Sequence, residues 1–500
     1  MMQGTSMYWL GIDVGTGGTR ALLLDENGKI AAGHTEAHAE IRMEKPLWAE
    51  QEPEDWWRAA QGAIRGVLRK VGADGSVVKG IGFSGQMHGL VMLDREGAVI
   101  RPSLIWCDQR SQAQVDEIHG KLGREKVVEW TANPAITGFT LPKLMWVKEH
   151  DGASYKRLKT VLLPKDYVRY RLSGELAQDV TDASGTGLFD VRKRRWSREM
   201  MKGLGLEAGW FPRAYESAEI CARVSREGAE ATGLREGTPM VAGAGDQAAS
   251  AVGNGIVEAG VASCTLGTSG VVFAHMEEPA YDAAGRVHTF CHAVKGKWHV
   301  MGVTQGAGLS LQWFRNTLAP GMEYEALLEE AGGAEEGSDG LFWLPYLMGE
   351  RTPHLDALAR GGWIGLTARH GRKELIRSVV EGVTYSQRDC LDVILALGVE
   401  VKKVRASGGG ARSVLWRQIL ADVLGRRVTT LESQEGSAYG AGLLAMAGTG
   451  GYGSVGEACR ATAVEVTEVA PRGRESRYYA GRHKVYRTLY PALKRSFRLF

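Results

Sequence analysis

Two acids, Asp13 and Asp246, each stand at the end of a short apolar run beside a glycine-rich turn. Asp13 closes Tyr8-Trp9-Leu10-Gly11-Ile12. It precedes Gly15-Thr16-Gly17-Gly18, after which Thr19-Arg20 leads into Ala21-Leu22-Leu23-Leu24. The pattern predicts strand, tight turn, strand. Glycines let backbone amides approach an anion, Thr16 and Thr19 add hydroxyl donors, and Arg20 adds positive charge, a set suited to a polyphosphate. A bare carboxylate repels phosphate, and a divalent ion between them removes the conflict, so Asp13 is read as a magnesium-site residue. The turn has an echo in Gly267-Thr268-Ser269-Gly270, which follows Cys264-Thr265-Leu266 and has the donors without the acid. Two such loops in matching contexts point to a duplicated fold, one half holding metal and the other nucleotide. The alternative is a pair of unrelated Gly-rich hairpins.

The second acid sits in Val241-Ala242-Gly243-Ala244-Gly245-Asp246-Gln247-Ala248-Ala249, where a strand ends in small residues and an alanine-rich helix begins. An acid at such a tip can accept the proton of a hydroxyl that attacks a γ-phosphoryl group. A plain helix cap would use the same residue type. Gly243-x-Gly245-x-x-Ala248 also satisfies the loose dinucleotide-binding pattern, which keeps a nicotinamide-dependent dehydrogenase as a competing reading. Against it, Asp246 lies inside the loop where pyrophosphate would sit, and no strand with a terminal acid follows at the required spacing. A Walker-A loop occurs nowhere in the chain. Further candidates are Met87 and His88 in the polar loop 84–89, Trp106 as a wall of a sugar pocket, and Gly408-Gly409-Gly410, whose bare backbone could lie against adenine or ribose.

These residues need strands and helices in alternation to present them. Trp57, Ala60, Ile64, Val67, Leu68 and Val71 recur at helical spacing behind Pro53-Glu54-Asp55, and Val77–Phe83 then reads as a strand. The second half repeats the style, with a helix over 375–397, a strand at 404–407 and a helix from about 413 to 424. The class is α/β, and each lobe is expected to carry a five-stranded mixed sheet. The expected division is 1–238 for a sugar-binding lobe, 239–460 for a nucleotide-binding lobe and 461–500 for a helical segment packing back on both. In that last segment Val485, Leu489, Leu493 and Phe497 recur at i, i+4 beside a basic face.

A chain of 500 residues exceeds one compact core, and 44% hydrophobic with 24% charged residues is the balance of a soluble enzyme. A net charge of +3 provides no field for nucleic acid. The six cysteines form no Cys-x-x-Cys pair, which suits a reducing cytoplasm. Met1–Ser6 lacks a basic leader region, and the apolar stretch 341–348 is too short to cross a bilayer, so neither a signal peptide nor a membrane span is expected.

With these residues in view, the chain resembles the FGGY carbohydrate kinases of the actin/Hsp70/hexokinase superfamily. Gly138-Phe139-Thr140-Leu141-Pro142-Lys143-Leu144-Met145-Trp146 matches one family pattern. Gly361-Gly362-Trp363-Ile364-Gly365-Leu366, with Glu374-Leu375 and Ser378-Val379-Val380-Glu381, matches the other. The resemblance implies a two-lobed actin-like (ribonuclease H-like) ATPase fold with an interlobe cleft, and ATP with Mg2+ as cofactors. Gly85-Gln86-Met87-His88-Gly89, Leu163-Pro164-Lys165-Asp166-Tyr167 and Leu344-Pro345-Tyr346-Leu347-Met348-Gly349-Glu350-Arg351-Thr352-Pro353 are most similar to members that phosphorylate D-xylulose. L-xylulose, D-ribulose, gluconate and glycerol are the alternative acceptors. By resemblance Asp246 is the base, Asp13 serves metal-linked activity, and Met87, His88 and Gln247 contact the sugar. The same resemblance implies Thr268, Gly409 and Gly410 near ATP, and the residue types of Thr16, Gly17, Arg20 and Gly267 suit the binding of its phosphates. The chain departs from the pattern at Gln247, where asparagine is common, and at Gly18, where Ser or Thr is common. The implied partner is a small sugar, and the oligomeric state stays open, a homodimer being one outcome.

Overall fold

The run Tyr8–Val14 is a strand buried along most of its length, which is why it reads as continuously apolar rather than alternating. It pairs antiparallel with Gly18–Leu24 through the expected turn and parallel with Val78–Gly85. The computed structural model describes residues 7–432 and 435–500; the leader expectation rests on Met1–Ser6, outside the described residues. The helix Pro53–Val71 bridges the hairpin and the parallel strand. Proline opens it, Glu54 and Asp55 lie in its first turn, Arg69 and Lys70 lie in its last, and Gly72 closes it in the left-handed conformation.

The expected five strands are present in each half as a kernel, but each sheet has seven. In the first, Ile30–Ala37, Gly18–Leu24, Tyr8–Val14, Val78–Gly85 and Pro239–Val241 lie side by side, extended by Ile220–Arg223 at the edge and Ala244–Gly245 beside Val78–Gly85. In the second, Trp298–Thr304, Gly270–Met276, Gly260–Leu266, Val401–Ser407 and Arg427–Leu431 repeat that order, with His288–Cys291 and Glu465–Val469 added at the two edges. The hairpin, long helix and two parallel strands therefore occur twice. The added strands leave little trace in the sequence because they are short or, as in Glu465–Val469, mostly exposed and without an apolar run.

The expected division after residue 238 cuts through one sheet, because Pro239–Val241 and Ala244–Gly245 both pair with Val78–Gly85. The chain leaves the first sheet only after the helix Asp246–Gly253. The helix Gly436–Gly448, placed by sequence in the nucleotide lobe, instead packs on Tyr8–Val14 and Val78–Gly85 and against Asp246–Gly253. Approach is close enough that a Cβ on Gly440 would lie 1.8 Å from the Ala249 carbonyl oxygen, and one on Gly82 1.9 Å from that of Ala441. Only hydrogen fits at either position.

The final segment, expected from 461, starts on the last residues of the helix Val455–Thr462 and continues as the strand Glu465–Val469 before its own helix. In the helix Gly473–Leu493 the buried stripe is Tyr479, His483, Tyr486 and Tyr490, whereas Val485 is 46% exposed. Polar partners decided this face. Tyr479 donates to Glu381 (2.7 Å), His483 meets Asp389 (2.9 Å) and Tyr490 donates to Asp356 (2.6 Å). Leu489 and Leu493 still flank the core, and Phe497 is buried. Among the described residues, no helix is long and apolar enough to cross a membrane.

Gly82→Val tests the helix-on-sheet contact. It is expected to destabilise the chain by about 2 kcal/mol or more through overpacking, seen as a lowered midpoint in urea; an unchanged midpoint refutes the close approach.

Candidate active site

Asp13 stands one residue before the end of its strand, with one carboxylate oxygen satisfied and the other orphaned. Oδ2 accepts from Ser437 Oγ at 2.7 Å, in the first turn of the helix Gly436–Gly448, where the helix dipole favours an anion. Oδ1 is buried without a partner. Burial raises the Asp13 pKa, opposed by the hydrogen bond from Ser437, by the nearby Ser84 hydroxyl and by the Arg20 charge. Asp246 is the first residue of its helix and is partly exposed. Its pKa is pushed up to about 7, first by burial and then by the negative charge of Asp13, while hydrogen bonds from Gln247 pull it down. Asp13 is thus near enough to perturb Asp246, which is poised to exchange a proton near neutral pH.

Met87 and His88 arrive from the end of the adjoining strand Val78–Gly85. The Met87 side chain packs against Gly245, next to Asp246. His88 holds a left-handed backbone (φ 69°), a conformation a non-glycine residue keeps only when its surroundings enforce it. Its carbonyl accepts from Lys143 Nζ (2.9 Å) and Thr140 Oγ1 (3.2 Å). Its Nδ1 lies 2.7 Å from the Gly185 carbonyl, which can only accept. The proton therefore sits on Nδ1 and leaves Nε2 as an acceptor. Burial, reinforced by the Lys143 charge, pushes the His88 pKa down to about 3, so the ring is neutral. Phe139 packs on it at 4.8 Å between centroids. From the second half, Arg351 meets His288 Nε2 at 2.6 Å, and its charge reaches His88.

The first loop is less free for phosphate than its composition suggests. Thr19 is buried with its hydroxyl 2.9 Å from His38 Nε2. Arg20 lies directly across the hairpin from Asp13, but its guanidinium is engaged by Glu435 (2.5 Å) and Thr35 (3.0 Å). Gly17 stays open, with no atom within 4 Å of where a Cβ would be. Thr16 Oγ1 accepts from Trp106 Nε1 at 2.9 Å. Trp106 follows the strand Ser103–Leu104 rather than ending it, is 47% exposed and lies against this loop. Gln247 is partly exposed beside Asp246.

The second loop borders a cavity of about 680 Å³. Gly267, Thr268, Gly409 and Gly410 all line it, together with Gln312 and Trp416. The Gly267 and Thr268 carbonyls accept from the first amides of the helix Gly308–Leu318, at 2.7 and 3.1 Å. The size and the mixture of apolar walls with bare glycine backbone suit a nucleotide-sized ligand.

Ser437, Lys143, Phe139, His288 and Arg351 were not singled out from sequence. Lys143 and Phe139 lie inside the matched pattern 138–146 and Arg351 inside 344–353, so their signal was present. Ser437 had none, being one serine in a small-residue helix.

The N-terminal domain of the FGGY family of carbohydrate kinases matches residues 8–253, and the C-terminal domain matches residues 262–449. A xylulose kinase of Escherichia coli is 39% identical over 488 residues, covering 97% of this chain and 99% of its own. The solved xylulose kinase from Rhodospirillum rubrum superposes with a TM-score of 0.92 at 28% identity, covering 98% of this chain and all of the other. A gluconate kinase structure from Lactobacillus acidophilus reaches 0.94 at 26%, covering 99% and 100%. The chain belongs to the FGGY family of carbohydrate kinases.

Proposed function

We propose that this chain transfers the γ-phosphoryl group of ATP to the 5-hydroxyl of D-xylulose. The observation that carries the reading is Asp246, its pKa pushed up to about 7 by burial and by Asp13, beside Gly245, on which Met87 packs next to the neutral His88. The sugar hydroxyl oxygen forms the new bond to phosphorus, the bond from phosphorus to the β-γ bridging oxygen breaks, ADP leaves, and Asp246 takes the hydroxyl proton. His88 Nε2 accepts from a sugar hydroxyl and Met87 supplies an apolar wall. Full-length similarity to xylulose kinases supports the choice of sugar.

The donors suit Mg2+, since Asp13 Oδ1 is an unpartnered hard oxygen with a second carboxylate close by. Among the described residues no cluster of three or more His, Cys, Asp or Glu forms a closed metal cage. That agrees with an ion held by one or two carboxylates plus phosphate and water. Bound there, Mg2+ would neutralise phosphate charge. Gly267, Thr268, Gly409 and Gly410 would hold the nucleotide.

A sugar acid is the second reading. It is favoured by Arg351, which among the described residues meets the neutral His288 and no carboxylate within ion-pair distance, and by the gluconate kinase likeness. ADP release measured with D-xylulose, L-xylulose, D-ribulose, gluconate and glycerol decides. Highest kcat/KM on D-xylulose is expected, and preference for gluconate would replace the proposal.

Asp246→Asn should retain sugar binding while kcat falls about 100-fold or more; near wild-type turnover refutes the base assignment. A base acts only when deprotonated, so kcat/KM should fall about tenfold per pH unit below pH 7 and level off above it. A flat profile from pH 5 to 8 contradicts this. Gly409 has open space where a Cβ would point. Gly409→Val should therefore raise the KM for ATP about tenfold or more without changing stability by over ~0.5 kcal/mol; an unaltered KM removes Gly409 from the nucleotide site.

A further inference from the structure

A wholly buried five-residue helix, Val180–Ser184, joins two parts of the site and the second sheet. At its N-terminal end Thr181 Oγ1 accepts from the Gly245 N–H at 2.9 Å, directly before Asp246. Past its C-terminal end the Gly185 carbonyl accepts from His88 Nδ1 at 2.7 Å. Ser184 Oγ accepts from the Cys291 N–H at 3.0 Å, tying it to the edge of the second sheet.

The helix is itself clamped by a buried charge cluster. Lys165 Nζ lies 2.7 Å from Asp166, 2.6 Å from Asp179 and 3.1 Å from Asp182, and Arg169 pairs with Asp166 at 2.9 Å, with every side chain fully buried. Asp179 caps the helix, accepting from the Thr181 and Asp182 amides at 2.8 and 3.1 Å and from the Thr181 hydroxyl at 2.6 Å. Arg169 donates to the Ala242 carbonyl at 2.6 Å, steadying the same strand tip from below. One relay thus runs from the Lys165 ammonium through the Asp179 carboxylate and the Thr181 hydroxyl to the amide beside Asp246.

Burying so many charges is costly unless geometry is fixed, and fixed geometry is what phosphoryl transfer needs, since most of its acceleration comes from positioning. We infer that the helix Val180–Ser184 is a strut setting the distance between the Asp246 carboxylate and the sugar-binding ring of His88, with Thr181 as its positioning residue. The inference rests on the proposed sugar phosphorylation and adds residues that touch neither substrate.

Removing Lys165 would leave three carboxylates without their shared cation, so Thr181 is the safer probe. Thr181→Val keeps shape but loses the hydroxyl. It is expected to lower kcat about 10- to 100-fold and raise the sugar KM, with the KM for ATP within about twofold of wild type. Thr181→Ser restores the hydroxyl and should recover kcat to within about threefold of wild type. Thermal melts of each variant monitor folding. Should the valine variant not fold, Thr181→Cys, whose thiol is a weak acceptor of similar size, should show the same split at about threefold or more. Turnover like wild type in the valine or cysteine variant, or a serine variant as slow as valine, overturns the strut. Failure of the wild-type protein to phosphorylate D-xylulose or any other polyol would instead sink the underlying function.

Discussion

Backbone-distance contact between the helices Asp246–Gly253 and Gly436–Gly448 is the constraint on which the site depends. Gly440 lies on Ala249, and the same helix lies on the first sheet at Gly82, with no side chains between them to yield. Side-chain packing tolerates small shifts through rotamer changes, whereas backbone-on-backbone packing does not. One helix begins with Asp246 and the other, in its first turn, supplies Ser437 to Asp13. The relation between the two acids is therefore inherited from a glycine contact several residues away from either.

Charge is managed differently on the two sides of the site. The carboxylates are kept difficult to ionise by burial, and Asp246 also by the negative charge of Asp13, which makes Asp246 a proton acceptor near neutral pH. His88 is kept neutral by burial and by Lys143, and its tautomer is set by a backbone carbonyl. A neutral ring with a free acceptor can receive a hydroxyl donor without attracting an anion.

Duplication explains the architecture, and divergence of the copies explains the chemistry. Both halves carry a hairpin, a helix and parallel strands in the same order. The first hairpin has Asp13, whereas the second, at Thr265-Leu266, has no acid and opens onto the large cavity. Arg20, which composition marked as a phosphate ligand, serves an ion pair with Glu435, joining the first hairpin to the start of the helix Gly436–Gly448. Its guanidinium is engaged because a partner distant in sequence lies within reach, which no local pattern records.

Apolar runs, glycine turns and helix spacing are local properties, so the α/β class, the two loops, the helix behind Pro53 and the acids at their strand tips were legible in the residues themselves, and the full-length family membership followed from patterns at 138–146 and 361–366. The extra edge strands, the crossing of Gly436–Gly448 onto the first sheet, the Tyr-lined docking face of the last helix and the Thr181 relay were decided only in three dimensions. Each depends on which distant groups are brought together: Ser437 with Asp13, Tyr479 with Glu381, Thr181 with Gly245. A sequence specifies which side chains can bury or donate; only the folded chain specifies to whom, because burial makes an unpaired polar group too costly to leave and the fold decides which partner is near.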